Sequence, residues 1–255
     1  MFQFGSGTAF ATPQSDAYGN AITNPTVTEF GILQNISIDF GFDVKELFGR
    51  QQFPVDIARG KGKITGKASS ARLNGTLLNN VLFGQAVTAG TLTAVSTANT
   101  PTTVPASTPF TTVITPPNAG VFKAGMGVTD AFGVPLTRVA SAPSAGQFSL
   151  DESTGTHTFA STDSGKSVFI NYQYTATVTS AKQSVVQNLD MGNAPTFSLT
   201  VHTQYKGKIL SLTLHRCVSS KISLASKQDD YTIPDFEFQA FADDLGRVVT
   251  WSISE

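Results

Sequence analysis

The chain is short of almost everything that chemistry at a buried centre uses. Among its 255 residues there is one cysteine, Cys217, which excludes an internal disulfide and a cysteine metal cluster. The three histidines, His157, His202 and His215, have no sequence-adjacent carboxylate or cysteine at metal-ligand spacing. Charged residues make up 14% of the chain and the formal net charge is -1. That is well below the usual charged fraction of about a quarter, and it excludes both a polycation for nucleic acid and an acidic tail. No run approaches the ~18 apolar residues of a membrane span. The start, MFQFGSGTAFATP, lacks the basic-then-apolar pattern of a signal peptide. The expectation is a soluble chain, made in the cytoplasm, with no membrane insertion. No internal repeat is visible.

Catalytic motifs are equally scarce. The glycine pairs in GSGTAF and ARGKGKITGK do not open a helix, so they lack the setting of a phosphate loop. Alternating glycines in an extended strand instead mark close backbone packing or sharp twist. Asp229–Asp230 and Asp243–Asp244 fall in turns, where Asp serves local hydrogen bonding. Cys217 has no base motif nearby and reads as buried packing. The expectation is a protein that is not an enzyme and takes no cofactor and no metal.

What is present is a hydrophobic fraction of 40%, enough for a core, on a chain with little charge to keep copies apart. That balance suits a subunit of an assembly. The stretch Gln34–Arg72 dominates. In its first arm Ile36, Ile38, Phe40, Phe42 and Val44 alternate with Ser37, Asp39, Gly41, Asp43 and Lys45. In its second arm Arg59, Lys61, Lys63, Thr65 and Lys67 alternate with Ala58, Gly60, Gly62, Ile64, Gly66 and Ala68. Period-two alternation of this length predicts a strand pair with one packed and one wet face, at the long end for a globular domain. With Glu46, the polar residues form a candidate stripe. One reading is a solvated face whose acids pair with bases across the hairpin. The other is a surface presented repeatedly to a polyanion or to a neighbouring subunit. The pattern alone leaves both open.

Residues 1–29 are rich in Gly, Pro, Thr, Asn and Ala and read as an extended arm with few elements of its own. Phe2, Phe4, Phe10 and Tyr18 favour an arm that orders against a neighbouring subunit over a frayed end. After the hairpin, Leu73, Leu77, Leu78, Val81 and Leu82 recur at helical spacing. They predict one helix over 71–84, capped by Asn74 and ended by Gly84, packed on a sheet. From 85 to 183 charge becomes rare. Short apolar runs (Thr111–Ile114, Val121–Lys123, Thr137–Ala140, Gln147–Leu150, His157–Ala160, Ser167–Tyr174) alternate with turn signals, predicting a separate inserted β-module. Phe110, Phe122, Phe132, Phe148, Phe159, Phe169, Tyr172 and Tyr174 are its candidate core. From Thr196 alternating strands return: a hairpin around KGK at 206–208, another strand over Val218–Ala225, and a final hairpin. In the last, Phe236, Phe238 and Ala240 face Val249, Trp251 and Ile253 across DDLG at 243–246. The fold class is mainly all-β, in a discontinuous domain (1–84 and 184–255) interrupted by the module at 85–183.

The segment FGILQNISIDFGFDVKELFGRQQFPVDIARGKGKITGKASSARLNGTLLNNVLFGQ resembles the major tail tube proteins of long-tailed bacteriophages. YTIPDFEFQAFADDLGRVVTWSIS and FGSGTAFATP resemble the same family's closing hairpin and N-terminal arm. The inserted region resembles a β-module found in phage structural proteins. This resemblance implies a β-sandwich or half-barrel flanked by one α-helix, with the insertion a small β-sandwich-like domain on the tube exterior. It implies homohexameric rings stacked head to tail into a hollow tube, the long hairpins joining into one inner barrel through which duplex DNA passes with transient, non-specific contact. Further implied partners are a tape measure protein and tail terminator and baseplate proteins. The implied location is the virion tail, after assembly in the host cytoplasm. Family lumens tend to be electronegative, so some of the bases on this hairpin are expected to pair with acids of the next strand or next subunit, leaving a near-neutral or mildly negative bore. Competing classes are a head decoration or other virion structural protein, and a surface-binding β-module protein such as an adhesin.

Overall fold

A computed structural model describes residues 5–72, 74–226 and 228–254. It is 55% strand and 5% helix, which makes the chain an all-β protein. Two compact units divide it, one formed by residues 1–87 with 184–255 and the other by residues 88–183.

The first unit begins with β1 (Thr8–Pro13), β2 (Thr28–Glu29), β3 (Leu33–Phe48), β4 (Pro54–Ser70) and the helical turn α1 (Gly75–Leu78). The second unit is built from β5 (Val87–Ser96), β6 (Thr102–Thr103), β7 (Thr111–Val113), β8 (Val121–Asp130), β9 (Thr137–Val139), β10 (Gln147–Asp151), β11 (Thr156–Phe159) and β12 (Ser167–Ser184). The chain then returns to the first unit with β13 (Phe197–Tyr205), β14 (Lys208–Ser223), β15 (Asp235–Phe241) and β16 (Val249–Ile253).

All strands of the first unit lie in one sheet, in the order β2-β1-β13-β14-β15-β4-β3, with β16 also on β14. One face carries the core: Phe30, Leu33, Ala68, Phe197, Leu199, Leu214, Cys217, Phe236 and Phe238. Leu77 and Val81 from the helical segment are buried in the same cluster. The alternation that predicted the strands is the alternation that fills this face.

Four expectations need correction here. The helix is short: α1 ends at Leu78 and residues Asn79–Phe83 form a π turn. Asn79 is the cause. Its carbonyl accepts from Gly84 N, five residues on, at 2.6 Å, while its buried amide donates to Gln85 O and accepts from Gln85 N. The caps are where the sequence put them, with Asn74 accepting from Thr76 N and Gly84 left-handed. Leu78 and Leu82 are half-buried, and Leu73 lies outside the described residues. The N-terminal arm, in turn, contains a full strand. β1 pairs with β13 from Thr8↔His202 to Pro13↔Phe197, burying Ala9 and Ala11 at 1% exposure. Alanine is too small and too weakly apolar for that alternation to stand out. Further along, the strand expected over 218–225 continues the one before it, as a single β14 whose register against β15 shifts between Ser219 and Lys221. Lastly, β15 and β16 do not form a hairpin: β15 pairs with β14 and β4, and β16 pairs with β14. The corner between them is tied by Asp243, which accepts from the backbone N–H of Leu245 and Arg247 and from the Arg247 side chain.

The second unit has two four-stranded sheets, β7-β11-β10-β9 and β5-β12-β6 with β8 on β12. Val104, Val128, Phe148, Phe159, Val168 and Ile170 form one buried cluster; Phe122, Tyr172, Tyr174 and Ala176 form another. His157 is buried among these rings, stacked on Phe148 at 5.7 Å. Phe132, expected in the core, is 90% exposed. It rides a turn that Asp130 organises by accepting from the N–H groups of Phe132 and Val134. β5 and β6 answer to no sequence expectation, because their Thr- and Ala-rich stretches carry no apolar alternation.

Candidate functional site

The candidate site is the β3–β4 hairpin. Its proximal part is held inside the sheet: β15 pairs with β4 from Asp235↔Ser69 to Ala240↔Ile64. Beyond Ile64 the two strands continue alone, paired with each other as far as Phe48↔Pro54. Among the described residues no strand lies along the outer edge of β3, or along β4 from Pro54 to Lys63. A two-stranded ribbon is marginal in water, and an open edge this long is a template for another chain. The ribbon is also apolar: Phe40, Phe42, Val44, Phe48 and Ile57 are each more than half exposed.

The register sorts the predicted stripe. Ser37 stands opposite Lys67, Asp39 opposite Thr65 and Gly41 opposite Lys63, so these share the polar face. The register then shifts: Phe42 pairs with Gly62, but Val44 pairs with Arg59. One extra residue on β4 is taken up in a bulge around Gly60 and Lys61, and a bulge re-aims the residues beyond it. Arg59, expected with Lys61 and Lys63, therefore lands on the apolar face, its guanidinium 4.8 Å above the Phe42 ring. Glu46 shares that face by strand parity with Phe42 and Val44. Period-two counting carried Arg59 to the wrong side, since it has no term for an inserted residue; Glu46 was assigned to the stripe by its charge, against its own parity on β3. Asp43, Lys45 and Lys61 remain with the polar stripe.

The polar face brings Asp39, Lys63, Thr65 and Lys67 together around a groove of about 320 Å³ shared with Glu237 and Gln239 of β15. Lys67 reaches Asp235 on the neighbouring strand at 2.9 Å. The Ser69 hydroxyl and then the Lys67 ammonium hold the Asp235 carboxyl below the usual carboxylate range, and Asp235 raises Lys67 in turn. Lys221 approaches Glu237 at 3.6 Å. Asp39, Asp43, Lys45, Glu46, Lys61 and Lys63 make no ion pair with another described residue. The charges are also segregated: β3 carries Asp39, Asp43 and Glu46 against Lys45, and β4 from 54 to 63 carries Arg59, Lys61 and Lys63 against Asp56.

Of the predicted arm residues, Phe10 sits in β1, where it pairs with Thr200 and Glu29. Tyr18 is exposed and its hydroxyl donates to Gln187. Phe2 and Phe4 lie outside the described residues. A second groove, this one apolar and of about 380 Å³, lies where β4 parts from β15, floored by Phe40, Phe42, Ile64, Ala240 and Val249. Further along β16 from Val249, Trp251 and Ile253 are 66% and 44% exposed. The sequence placed both on one strand face without marking them as a contact surface; their signal was an apolar face longer than the helix over it can cover. Burial pushes the Cys217 thiol up to about 12, so it stays protonated. Among the described residues no group of three or more His, Cys, Asp or Glu side chains gathers, and no helix is long and apolar enough to cross a membrane. No protein-family model matches the chain, and the curated proteins contain no match to it.

Proposed function

We propose that this chain is a structural virion subunit, the tail tube protein of a long-tailed bacteriophage. In this reading homohexameric rings stack into a hollow conduit for DNA, and no reaction is catalysed. The observation that carries it is the distal hairpin: a ribbon with two open edges, an exposed apolar face and a charge of opposite sign on each strand. A monomer gains nothing from such an element and risks aggregation. In a ring the acidic outer edge of β3 meets the basic edge of β4 on the next copy. Repeating that contact closes a barrel and abolishes the edges. The polar face then lines the bore and the apolar face turns outward. Pooled strands open a channel that one chain cannot make.

The sequence resemblance supports the same assembly and adds its partners: a tape measure protein inside the growing tube, terminator and baseplate proteins at its ends, and duplex DNA in transit. The corresponding location is the virion tail, after assembly in the host cytoplasm. Electron microscopy of the concentrated purified chain, with and without pre-formed tail initiation complexes, tests the proposal. Hollow six-fold rings or stacked tubes are expected. Solid trimers, or an unchanged monomer in both conditions, would overturn it, and trimers would favour a head decoration protein.

A further inference from the structure

β15 and β16 stand in one line along β14, with Ala240 opposite Cys217 and Val249 opposite Leu214. Residues 242–248 are therefore an excursion between two halves of one strand position. The next strand out, β4, ends its pairing with β15 at Ala240↔Ile64 and then runs on without it. The core-face residues of the two lines nevertheless stay in step. On the β15–β16 line they are Ala240, Val249, Trp251 and Ile253. On β4 they are Ile64, Gly62, Arg59 and Ile57, the partners of Phe40, Phe42, Val44 and Glu46. A register shift on β14 and another on β4 each absorb one odd residue, so the rungs count equally on both sides. Only the first rung, Ala240 with Ile64, is made. Gly62 and Val249 line the same apolar groove of about 380 Å³. Beyond them, among the described residues, no strand pairs with the outer edge of β16 or with the facing edge of distal β4.

We propose that the distal hairpin is a strap that closes this split within its own chain: β4 zips onto β16 in the free subunit, placing Gly62 beside Val249, Arg59 beside Trp251 and Ile57 beside Ile253. The two edges have the antiparallel direction that a ladder needs, because β15, on the same line as β16, is already antiparallel to β4. Their side chains suit each other. Gly62 leaves room for Val249, and Ile57 meets Ile253. The Arg59 guanidinium, already 4.8 Å above Phe42, comes to lie against a second aromatic ring, where a positive charge is favourable. On the polar face β16 offers only Thr250 and Ser252 to the basic edge of β4, so no like charges meet. A tethered edge also has a high effective concentration that a second copy lacks. Closure satisfies two open edges and braces a ribbon that is marginal alone. It has a consequence for assembly that rests on the tube reading: the ring contact uses the same edge of β4, so a closed subunit offers β3 but not β4, and must open before it can join a ring.

Disulfide trapping in the full chain tests the strap, using Ile57→Cys with Ile253→Cys; both positions are exposed and the native Cys217 is buried. Under mild oxidation the dilute double variant should lose both engineered thiols while remaining a monomer that runs faster on a non-reducing gel. Val55→Cys with Ile253→Cys, one rung out of register and too far apart for a disulfide, should keep its thiols. The oxidised double variant should fail to assemble on initiation complexes until reductant is added. Without engineered cysteines, Trp251, the sole tryptophan, should be shielded from acrylamide in the free wild-type chain and become accessible in Ile57→Asp. Retained thiols, cross-linking only between chains, or equal loss of thiols in the out-of-register pair would overturn the strap. So would a Trp251 as accessible in wild type as in Ile57→Asp. A trapped chain that assembles as well as the reduced one would overturn its control of assembly. A wild-type chain that never assembles, even on initiation complexes, would overturn the tube reading alone, because the trap and the tryptophan are read on the monomer.

Discussion

Gly66 is where the long hairpin is locked into the sheet, and replacing it with alanine is the sharpest test of how. It sits in β4 opposite Phe238 of β15 and Ile38 of β3. A methyl group there would lie 2.3 Å from Phe238 Cζ and 2.4 Å from Cε2, about 1.5 Å inside carbon–carbon contact. The ring cannot swing away, because Phe238 is 1% exposed and packs edge-on to Phe197. Overpacking of this kind costs roughly 1–3 kcal/mol, partly offset by the ~0.5–1 kcal/mol that alanine gains over glycine inside a strand. A net loss of about 1–2 kcal/mol is therefore expected. Gly62, four residues before it in β4, is the control. Its added methyl would meet Phe42 at 3.0 Å, but Phe42 is 54% exposed and can turn aside, so Gly62→Ala should cost nothing or stabilise slightly. Urea unfolding followed by fluorescence reads the first unit selectively, because Trp251 is the sole tryptophan. Combining Gly66→Ala with Phe238→Leu should recover part of the loss, since the smaller side chain vacates the space the methyl needs. Equal midpoints for Gly66→Ala and wild type, or equal damage from the two glycine replacements, would refute the packing argument.

His157 is held neutral by burial, which lowers its pKa below the usual 6.5; the unfolded chain takes up the extra proton first, so stability of the second unit should be full above about pH 6.5 and fall as the pH drops below it. His157→Phe should flatten that dependence in thermal unfolding between about pH 7.5 and 5. Asn79→Ala should destabilise the first unit by roughly 1–3 kcal/mol in the urea assay, because it strips both hydrogen bonds from the Gln85 backbone. With its pKa pushed up to about 12 by burial, Cys217 should resist thiol reagents in the native protein at about pH 8 and react once urea exceeds the midpoint.

Strand content was legible because alternation is a direct print of sheet packing. Ile36, Ile38 and Ile64 appear in the sequence pattern and against the core alike. Asn74 and Gly84 were legible because caps are local chemistry. What escaped depended on partners distant in sequence. Nothing in FEFQAFADDLGRVVTWS says that β15 and β16 share β14 instead of pairing together; that arises because β4 occupies the far side of β15. The bulge that turns Arg59 onto Phe42 needs only one residue's worth of slip, and two nearby glycines made it inexpensive without announcing it. The π turn depends on Asn79 finding Gln85, a contact that exists only once the segment is packed. Of the candidate surface, the alternating arms were readable. Which edges stay open, and how far the apolar face outruns its cover, depend on the sheet order alone.

β14 pairs with β13 along one side and with β15 and then β16 along the other. Mechanically this makes it a tie rod. A pull along β14 must shear two rows of hydrogen bonds at once, so the load spreads over many bonds and no single one is peeled. The distal hairpin, gripped by the sheet only over Ile64–Ser69, is the compliant part of the same unit: under tension it bends while β14 holds length.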